Sequence, residues 1–410
     1  LIQSGFRQDP AGKSGVAQLL STVLDRGSKG LSATQMVERV DNLGASHYVN
    51  ADDDTFTVGV HGLAQDASIL VDFLSDVMLT PDLKDSEIAR EKNRMIERWD
   101  HISDEAQTLA SLSFHRMITS GSSYARGGFW SGRELKTITT KDVKDYYQKN
   151  FTPKNAVLMV VGKINEVEFR ARLLATFGQW KGEAPDKKVK SFYNPKFVAG
   201  SAPGLMISRK DLTQAQVRFG FEAPSLYVPE HYALAVANAI LGEYFNSRLN
   251  SVIRYKLALT YNIQSNFSYS QDFSIHSIST SCRNEVVGQM VHHVKEILKK
   301  FRTENFSEEE VQMAKDYLVG SFPLGTSTLS AVASRWLAGY IYKLGPEYLN
   351  EFIPKVSAVK ALDVQTAVRK YFDPAKVKFV VAGDEKAIQR SLNEHKIPAL
   401  KRVSVEDLKS

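Results

Sequence analysis

The sequence predicts an α+β protein built from two homologous domains in tandem, each a largely antiparallel sheet with helices packed on one face. The first observation is an internal repeat. Residues 142–162 align without a gap on residues 363–383, and every aligned pair lies 221 positions apart (363 − 142). The second observation is that strand-like alternation of polar and apolar residues, at 55–60 and 216–221, occurs together with helical spacing elsewhere.

Each copy of the repeat predicts the same three elements. A helix comes first, then a turn that contains proline, and then an apolar strand that ends in glycine. The residues identical in both copies are, in the first copy, Asp142, Val143, Lys149, Phe151, Pro153, Val160 and Gly162. The repeat therefore indicates that one α+β unit is present twice.

Helices and a domain boundary follow from the remaining pattern. Apolar residues at helical spacing predict helices over residues 231–243 and 308–320. Between the two copies, residues 181–190 are polar, contain proline and carry an excess of lysine, which is typical of a linker. We expect an N-terminal domain at 1–181, a linker at 182–203 and a C-terminal domain at 204–410.

The composition is ordinary for a soluble globular protein, with 43% hydrophobic and 24% charged residues in a chain of 410. The longest apolar runs, such as residues 232–241, are shorter than the ~18 residues that a membrane span needs, so we predict no membrane span. The net charge is +6, but basic and acidic residues are mixed and no basic block carries interleaved aromatics. We therefore expect no nucleic-acid binding.

The one cysteine and the first residues bear on disulfides and targeting. Cys282 excludes an internal disulfide and a cysteine-based zinc site, and we expect it to be a small apolar residue in a strand. The chain begins at Leu1, and residues 1–7 read as the end of a strand that enters a turn. We expect that an N-terminal piece, with any signal or transit peptide, lies outside this sequence.

Four features, taken in order, resemble one known family. They are the lead-in segment at residues 5–17 (GFRQDPAGKSGVA), residues 213–220 (TQAQVRFG), the block from Ser247 through Arg254 to Tyr261, and the repeat itself. Their order and spacing are similar to those of the pitrilysin/insulinase family of zinc metallopeptidases, in its short, processing-peptidase-like branch.

The resemblance implies a metal helix at residues 15–24, but the metal-binding residues are absent there. Catalytic members carry His-x-x-Glu-His, in which two histidines one turn apart bind zinc and the glutamate activates its water; a further glutamate completes the ligand set. The apolar residues of this segment still predict a helix, with its polar residues on the opposite face. The degenerate zinc-site positions, none of which we expect to bind a metal, are Gln18, Ser21, Thr22 and Arg98.

No other metal or nucleophile site is predicted. Glu91 matches a carboxylate of the family, but one carboxylate beside an amide and two hydroxyls does not make a zinc site. None of the nine histidines begins or ends a His-x-x-Glu-His motif or its inverse, and no Gly-x-Ser-x-Gly occurs. We therefore expect no cofactor in this chain.

Arg254 and Tyr261 match family residues that lie over the scissile bond. A guanidinium and a phenol can donate hydrogen bonds to a carbonyl oxygen that becomes negative during amide attack, but neither generates the attacking water. In an arbitrary protein such a pair is more often a surface arginine and a packed tyrosine. Two neighbours depart from the family pattern, with Tyr255 in place of an acidic residue and Ala258 in place of glycine.

The resemblance implies a two-chain assembly, since members of this size form clams in which two subunits enclose a chamber. We expect a homologous partner that carries His-x-x-Glu-His and zinc, while this chain contributes Arg254 and Tyr261 and is inactive alone. Peptides or unfolded polypeptides are the expected substrates. Residues 240–247 lack the long glycine-rich loop of the eukaryotic regulatory subunit, which favours a bacterial heterodimer and, by analogy, the periplasm.

Other functions and compartments stay open. A catalytically inactive structural subunit, like the core proteins of respiratory complexes, would share the fold without cleaving peptides. A peptide-binding subunit would use the chamber and sheet-edge hydrogen bonds without turnover. The cytoplasm and the mitochondrial matrix are alternatives to the periplasm.

Overall fold

The computed structural model describes residues 1–126, 132–186, 198–210, 212–345 and 347–409. None of the helices within these ranges is long and apolar enough to cross a membrane. The middle of the expected linker, residues 187–197, lies outside the described residues, so the boundary at 182–203 stays a prediction.

Helices outnumber strands in the described chain. The α-helices are α1 (Val16–Val23), α2 (Ala33–Asp41), α3 (Ala67–Leu79), α4 (Asp85–Asp100), α5 (Ala106–Ile118), α6 (Gly132–Thr137), α7 (Thr140–Asn150), α8 (Glu166–Phe177), α9 (His231–Asn238), α10 (Val287–Thr303), α11 (Glu308–Ser321), α12 (Leu329–Ile341), α13 (Tyr348–Ala358), α14 (Ala361–Tyr371), α15 (Glu385–Glu394) and α16 (Val405–Lys409). The strands are β1 (Gly27–Ser28), β2 (Leu31–Ser32), β3 (Ser46–Ala51), β4 (Phe56–His61), β5 (Gly204–Ser208), β6 (Gln214–Ala223), β7 (Ile263–Tyr269), β8 (Ser274–Arg283), β9 (Lys378–Gly383) and β10 (Lys401–Val403).

The larger sheet belongs to the second half of the chain, with strand order β10-β5-β9-β6-β8-β7. The pairs β7–β8, β8–β6 and β6–β9 are antiparallel, whereas β9–β5 and β5–β10 are parallel. The inner strands β6 and β9 are buried almost throughout, because helices cover the sheet on two sides. This half has the predicted α+β architecture with a mainly antiparallel sheet.

The second half packs its own helices on one face of this sheet, and a helix of the first half covers the other. On the first face, Phe219 and Phe379 have no exposed surface and pack in a core with α9, α10, α11 and α14. On the opposite face, Leu109 and Leu112 of α5 pack in a core with Leu205 of β5. The crossing of α5 therefore joins the two halves through an apolar interface.

The first half is organised around the antiparallel hairpin of β3 and β4. Its core includes Leu19 and Leu20 of α1, Phe56 of β4 and Phe73 of α3, each with at most 1% of its surface exposed. α1 contacts α4, α7 and β3. The predicted metal helix is therefore present, and it is a central packing element of this half.

The internal repeat is confirmed except for one strand. α7 and α14 begin and end at the spacing of the repeat, and a 3₁₀ turn follows each, at Pro153–Asn155 and Pro374–Lys376. The second copy continues as β9, but the strand predicted in the first copy is wrong, since the pairing stops after Ala156, in a bridge with Ile2, and Val157, which exchanges backbone hydrogen bonds with Leu1. β9 satisfies its backbone against strands on both sides. Residues 158–162 have no such ladder within the described chain.

The other predicted elements are present with changed ends. The predicted strands correspond to β4 and β6, and the helix predicted at 308–320 is α11. The helix predicted at 231–243 is α-helical only to Asn238 and continues as a π-helix over Ala239–Glu243. Cys282 is buried in β8, as expected.

Candidate functional site

The polar side chains of α1 are engaged within their own helix. Gln18 donates from Nε2 to Ser21 Oγ at 3.1 Å, and Ser21 Oγ donates to the Gln18 carbonyl at 2.7 Å. Thr22 Oγ1 donates to the carbonyl of Leu19 at 2.7 Å. Ser21 is also 95% buried, although the helical pattern places it on the polar face. These three side chains therefore stabilise a helix rather than present a ligand set.

The two charged residues expected near α1 lie on α4, which packs against α1. Glu91 is buried and pairs with Arg94 at 2.9 Å and with Arg90 at 3.5 Å. Arg98 is exposed in the last turn of α4, where a cation interacts favourably with the helix dipole.

The donor set at this locus does not fit zinc. Zinc sites in proteins use thiolates, imidazoles and carboxylates, and the four degenerate positions offer an amide, two hydroxyls and a guanidinium. In the described residues there is no cluster of three or more His, Cys, Asp and Glu side chains able to hold a metal ion.

Arg7 in the lead-in segment connects the first half to the turn between β7 and β8. Its Nη1 donates to Asp54 Oδ1 at 2.7 Å and to Tyr124 Oη at 2.8 Å, and its Nη2 donates to Asp272 Oδ2 at 2.6 Å. The backbone N–H of Gln271 donates to Asp54 Oδ2 at 2.9 Å. This charged cluster fixes the segment that leads into α1 relative to the β7–β8 hairpin.

The block that carries Arg254 has unusual helical geometry. One π-helix ends before it, at Ala239–Glu243, and a second, Asn250–Lys256, contains Arg254. The side chain of Asn250 donates to the Tyr244 carbonyl at 3.3 Å, which ties the second segment to the end of the first. π-Helical segments are rare in proteins and are found frequently at functional sites.

Arg248 holds this block on α11. Its Nε and Nη2 donate to the two carboxylate oxygens of Glu310 at 2.6 and 2.7 Å, and its Nη1 lies 3.8 Å from Glu304. The guanidinium also lies 5.4 Å from the ring centroid of Phe301 and 4.9 Å from that of Phe306. Because its charge is paired and its contacts lie within the chain, Arg248 has a structural role.

The second π-helix ends at Lys256, and two residues later Ala258 has φ of 50°. The N–H of Leu257 donates to the Val252 carbonyl and that of Leu259 to the Ile253 carbonyl, both at 3.0 Å. Helices commonly end in a left-handed residue, usually glycine. Ala258 therefore has the left-handed conformation that favours glycine, at a position where the resemblance implies a glycine.

Arg254 and Tyr261 both reach the surface. Tyr261 is 90% exposed, and the half-buried Arg254 has its guanidinium carbon 5.0 Å from the ring centroid of Phe245 and 5.2 Å from that of Tyr255. Across the described ranges, neither the side chain of Arg254 nor that of Tyr261 makes a hydrogen bond or an ion pair, with each other or with the α1 positions. Their donors are therefore available to a ligand.

The two rings beside Arg254 were not expected. Nothing in the sequence singles out Phe245, and Tyr255 stands out only as a departure from the family pattern. The sequence feature that could have revealed them is a short block with aromatic residues on both sides of an arginine, because this arrangement permits a cation–π contact.

A buried polar network joins α9 to β7 and β8. Asn238 Oδ1 accepts from Ser265 Oγ at 2.8 Å and lies 3.2 Å from His276 Nε2, and Asn238 Nδ2 donates to Glu243 Oε2 at 2.9 Å. His276 has no exposed surface, and burial lowers its pKa to about 3. The neutral imidazole therefore helps to anchor the π-helix that begins after Asn238.

Sequence comparison finds one family on both halves of the chain. Residues 1–127 match the model described as Insulinase (Peptidase family M16), and residues 137–318 match the model described as Peptidase M16 inactive domain.

Individual relatives are distant in sequence but span most of the chain. An uncharacterized zinc protease of Mycobacterium leprae is 22% identical over 335 residues, which are 81% of this chain and 74% of the relative. The non-peptidase homolog YmxG of Helicobacter pylori is 21% identical over 377 residues, 91% of this chain and 85% of the relative. A peptidase M16 inactive domain from Pseudomonas fluorescens superposes with a TM-score of 0.85 at 21% identity, covering 93% of this chain and 91% of that one. The fold is shared with this last structure.

Proposed function

Because the chain belongs to the M16 (pitrilysin/insulinase) peptidase family, whose two domain models it matches in order, we propose that it is the non-zinc-binding subunit of a heterodimeric zinc metalloendopeptidase. Arg254 and Tyr261 bind the carbonyl oxygen of the peptide bond to be cleaved and stabilise the oxyanion that forms there. The chain is inactive alone.

A contrast between two loci supports this proposal. At α1 the polar groups of Gln18, Ser21 and Thr22 are used within the helix and do not suit a metal. Around the second π-helix, Arg254 and Tyr261 keep donors without acceptors in the described part of the chain. The chain therefore offers oxyanion donors without the group that would generate a nucleophile.

The two side chains suit this role chemically. A guanidinium carries a permanent positive charge and five N–H donors, and a phenol adds one O–H donor. Donors placed where negative charge develops stabilise the transition state more than the substrate, and removal of one such donor costs about 2.7–4 kcal/mol of the barrier. Arg254 cannot serve as the general base, because a guanidinium does not lose its proton in proteins.

A homologous partner subunit with His-x-x-Glu-His supplies the zinc, which provides the activated water when bound. Peptides and unfolded polypeptides are the proposed substrates, and the periplasm is the proposed compartment. The M. leprae relative named a zinc protease supports a peptidase assignment within this part of the family.

The test replaces Tyr261 with phenylalanine in the assembled complex. The tagged chain is purified from its native host with the bound zinc-motif subunit, and cleavage of fluorescein-labelled casein fragments is measured. Tyr261→Phe should lower kcat by about 10²- to 10³-fold without changing assembly, because it removes only the O–H donor. Tyr340→Phe, at a tyrosine 53% exposed on α12, is the matched control and should change nothing. Unchanged cleavage by Tyr261→Phe in a normally assembled complex would refute the proposal.

A catalytically inactive structural or peptide-binding subunit is the second candidate. The H. pylori relative named a non-peptidase homolog favours it. In that case the purified complex would contain no zinc-motif homologue and would not cleave casein fragments, which only a peptide-binding subunit would bind.

A further inference from the structure

Arg248 and Arg254 lie in the same block, but their surroundings differ. Arg248 donates to both carboxylate oxygens of Glu310. Both arginines lie near aromatic rings, Arg248 near Phe301 and Phe306. The guanidinium carbon of Arg254 lies 5.0 Å from the Phe245 centroid and 5.2 Å from the Tyr255 centroid. Throughout the described chain its N–H donors have no protein acceptor. The two arginines thus differ in the carboxylate, which pairs with Arg248 and has no counterpart at Arg254 among the described residues.

The two rings beside Arg254 also contact each other. Their centroids lie 5.1 Å apart with the ring planes inclined at 63°, an edge-to-face arrangement. Phe245 remains 61% exposed and Tyr255 47% exposed, so neither ring contributes much to the core. These exposed rings limit the positions that the guanidinium of Arg254 can occupy.

We propose that Phe245 and Tyr255 are positioning residues for Arg254, which hold its guanidinium in place while its charge and its N–H donors stay free for the substrate carbonyl. A ring face attracts a cation without accepting the strong hydrogen bonds that a carboxylate accepts. The guanidinium therefore gains orientation without being neutralised. This role rests on the function proposed above for Arg254.

The contrast with a carboxylate gives the role a chemical reason. The bidentate pair of Arg248 and Glu310 shows what a carboxylate does in this block, since it occupies two donors and cancels the charge. An arginine held in that way has fewer free N–H donors and no uncompensated charge with which to stabilise an oxyanion.

The variants are tested in the assembled complex with casein fragments as substrate. Tyr255→Leu and Phe245→Leu each remove one ring and should lower kcat roughly two- to fivefold, the factor that matches one exposed cation–π contact, with KM unchanged. Tyr255→Phe keeps the ring and should restore kcat. Tyr340→Leu, which removes an exposed ring on α12, is the control and should leave kcat unchanged.

The decisive comparison uses Arg254→Ala, measured in single turnovers with the complex in excess. If the rings act through Arg254, adding Tyr255→Leu to Arg254→Ala causes no further loss. An undiminished further loss would overturn the positioning role. So would an unchanged kcat in Tyr255→Leu, or a loss of subunit assembly in both leucine variants.

If Arg254→Ala itself cleaves normally, the proposed function fails. If only Arg254→Ala is impaired, the function stands and the positioning role fails.

Discussion

His276 should make the stability of the second half depend on pH. It has no exposed surface, and its ring lies 4.8–5.1 Å from the ring centroids of Phe221, Phe267 and Phe372. Burial lowers its pKa from 6.5 to about 3. At pH 5 the unfolded chain therefore binds a proton that the folded chain does not. The stability that the neutral ring contributes is complete above pH 6.5 and is lost as the pH falls from 6.5 towards 3.

The size of the effect follows from the width of that window. At pH 5 the solution lies 1.5 units below the pKa of 6.5 in the unfolded chain, and each unit corresponds to about 1.4 kcal/mol, so the expected loss is about 2 kcal/mol. His276→Phe removes the titrating group and keeps a ring in the aromatic surroundings. Asn238 Oδ1 keeps the hydrogen bond from Ser265 in this variant.

Urea unfolding followed by circular dichroism at pH 7 and pH 5 measures the difference. The drop in unfolding free energy between the two pH values should be about 2 kcal/mol smaller in His276→Phe, whatever its stability at pH 7. The drop in the variant must be compared with the drop in the unmodified chain, because Asp53 has an effect of the opposite sign. Burial raises the pKa of this carboxyl to about 7, so its protonation stabilises the fold as the pH falls. His101→Gln, at a side chain that is 81% exposed, is the control. Equal drops with and without His276 would refute the reasoning.

Two substitutions test the supports of the block that carries Arg254. Ala258→Gly should raise the unfolding free energy by about 0.5–1 kcal/mol, because the left-handed conformation costs alanine more than glycine loses in entropy; a lower urea midpoint would contradict this. Arg248→Met should lower the unfolding free energy by about 2 kcal/mol, since it leaves the partly buried Glu310 without its cation. Lys355→Met, in an exposed pair, is the control and should leave the urea midpoint unchanged, and an equally small effect at Arg248 would contradict a structural role for that residue.

Patterns that are local in the sequence predicted the fold well. The gapless repeat gave α7, α14 and the proline turns at matching positions. The strand expected at 157–162 failed because a strand needs partners that the local pattern does not reveal. The crossing of α5 onto the sheet of the other half is also non-local, since a helical stripe indicates that one face is buried but not against what.

The candidate site was predictable as chemistry but not as geometry. The family pattern predicted that Gln18, Ser21 and Thr22 have lost the ligand chemistry, and the structure adds that their polar groups are used within α1. The sequence alone does not show that Arg248 is paired with a carboxylate and that Arg254 is not. The carboxylate partner of Arg248 lies on α11, and Phe245, nine positions before Arg254, contacts the guanidinium only in the folded chain.

The division of labour between two subunits predicts where the zinc is found. The chain is purified alone and in complex with its zinc-motif partner, and zinc is quantified in both samples by mass spectrometry while cleavage of casein fragments is followed. We predict no stoichiometric zinc and no cleavage in the isolated chain, about one zinc per heterodimer, and cleavage that requires both subunits and is lost in Arg254→Ala. Stoichiometric zinc on the isolated chain, or full cleavage by a complex that carries Arg254→Ala and Tyr261→Phe together, would contradict a shared active site.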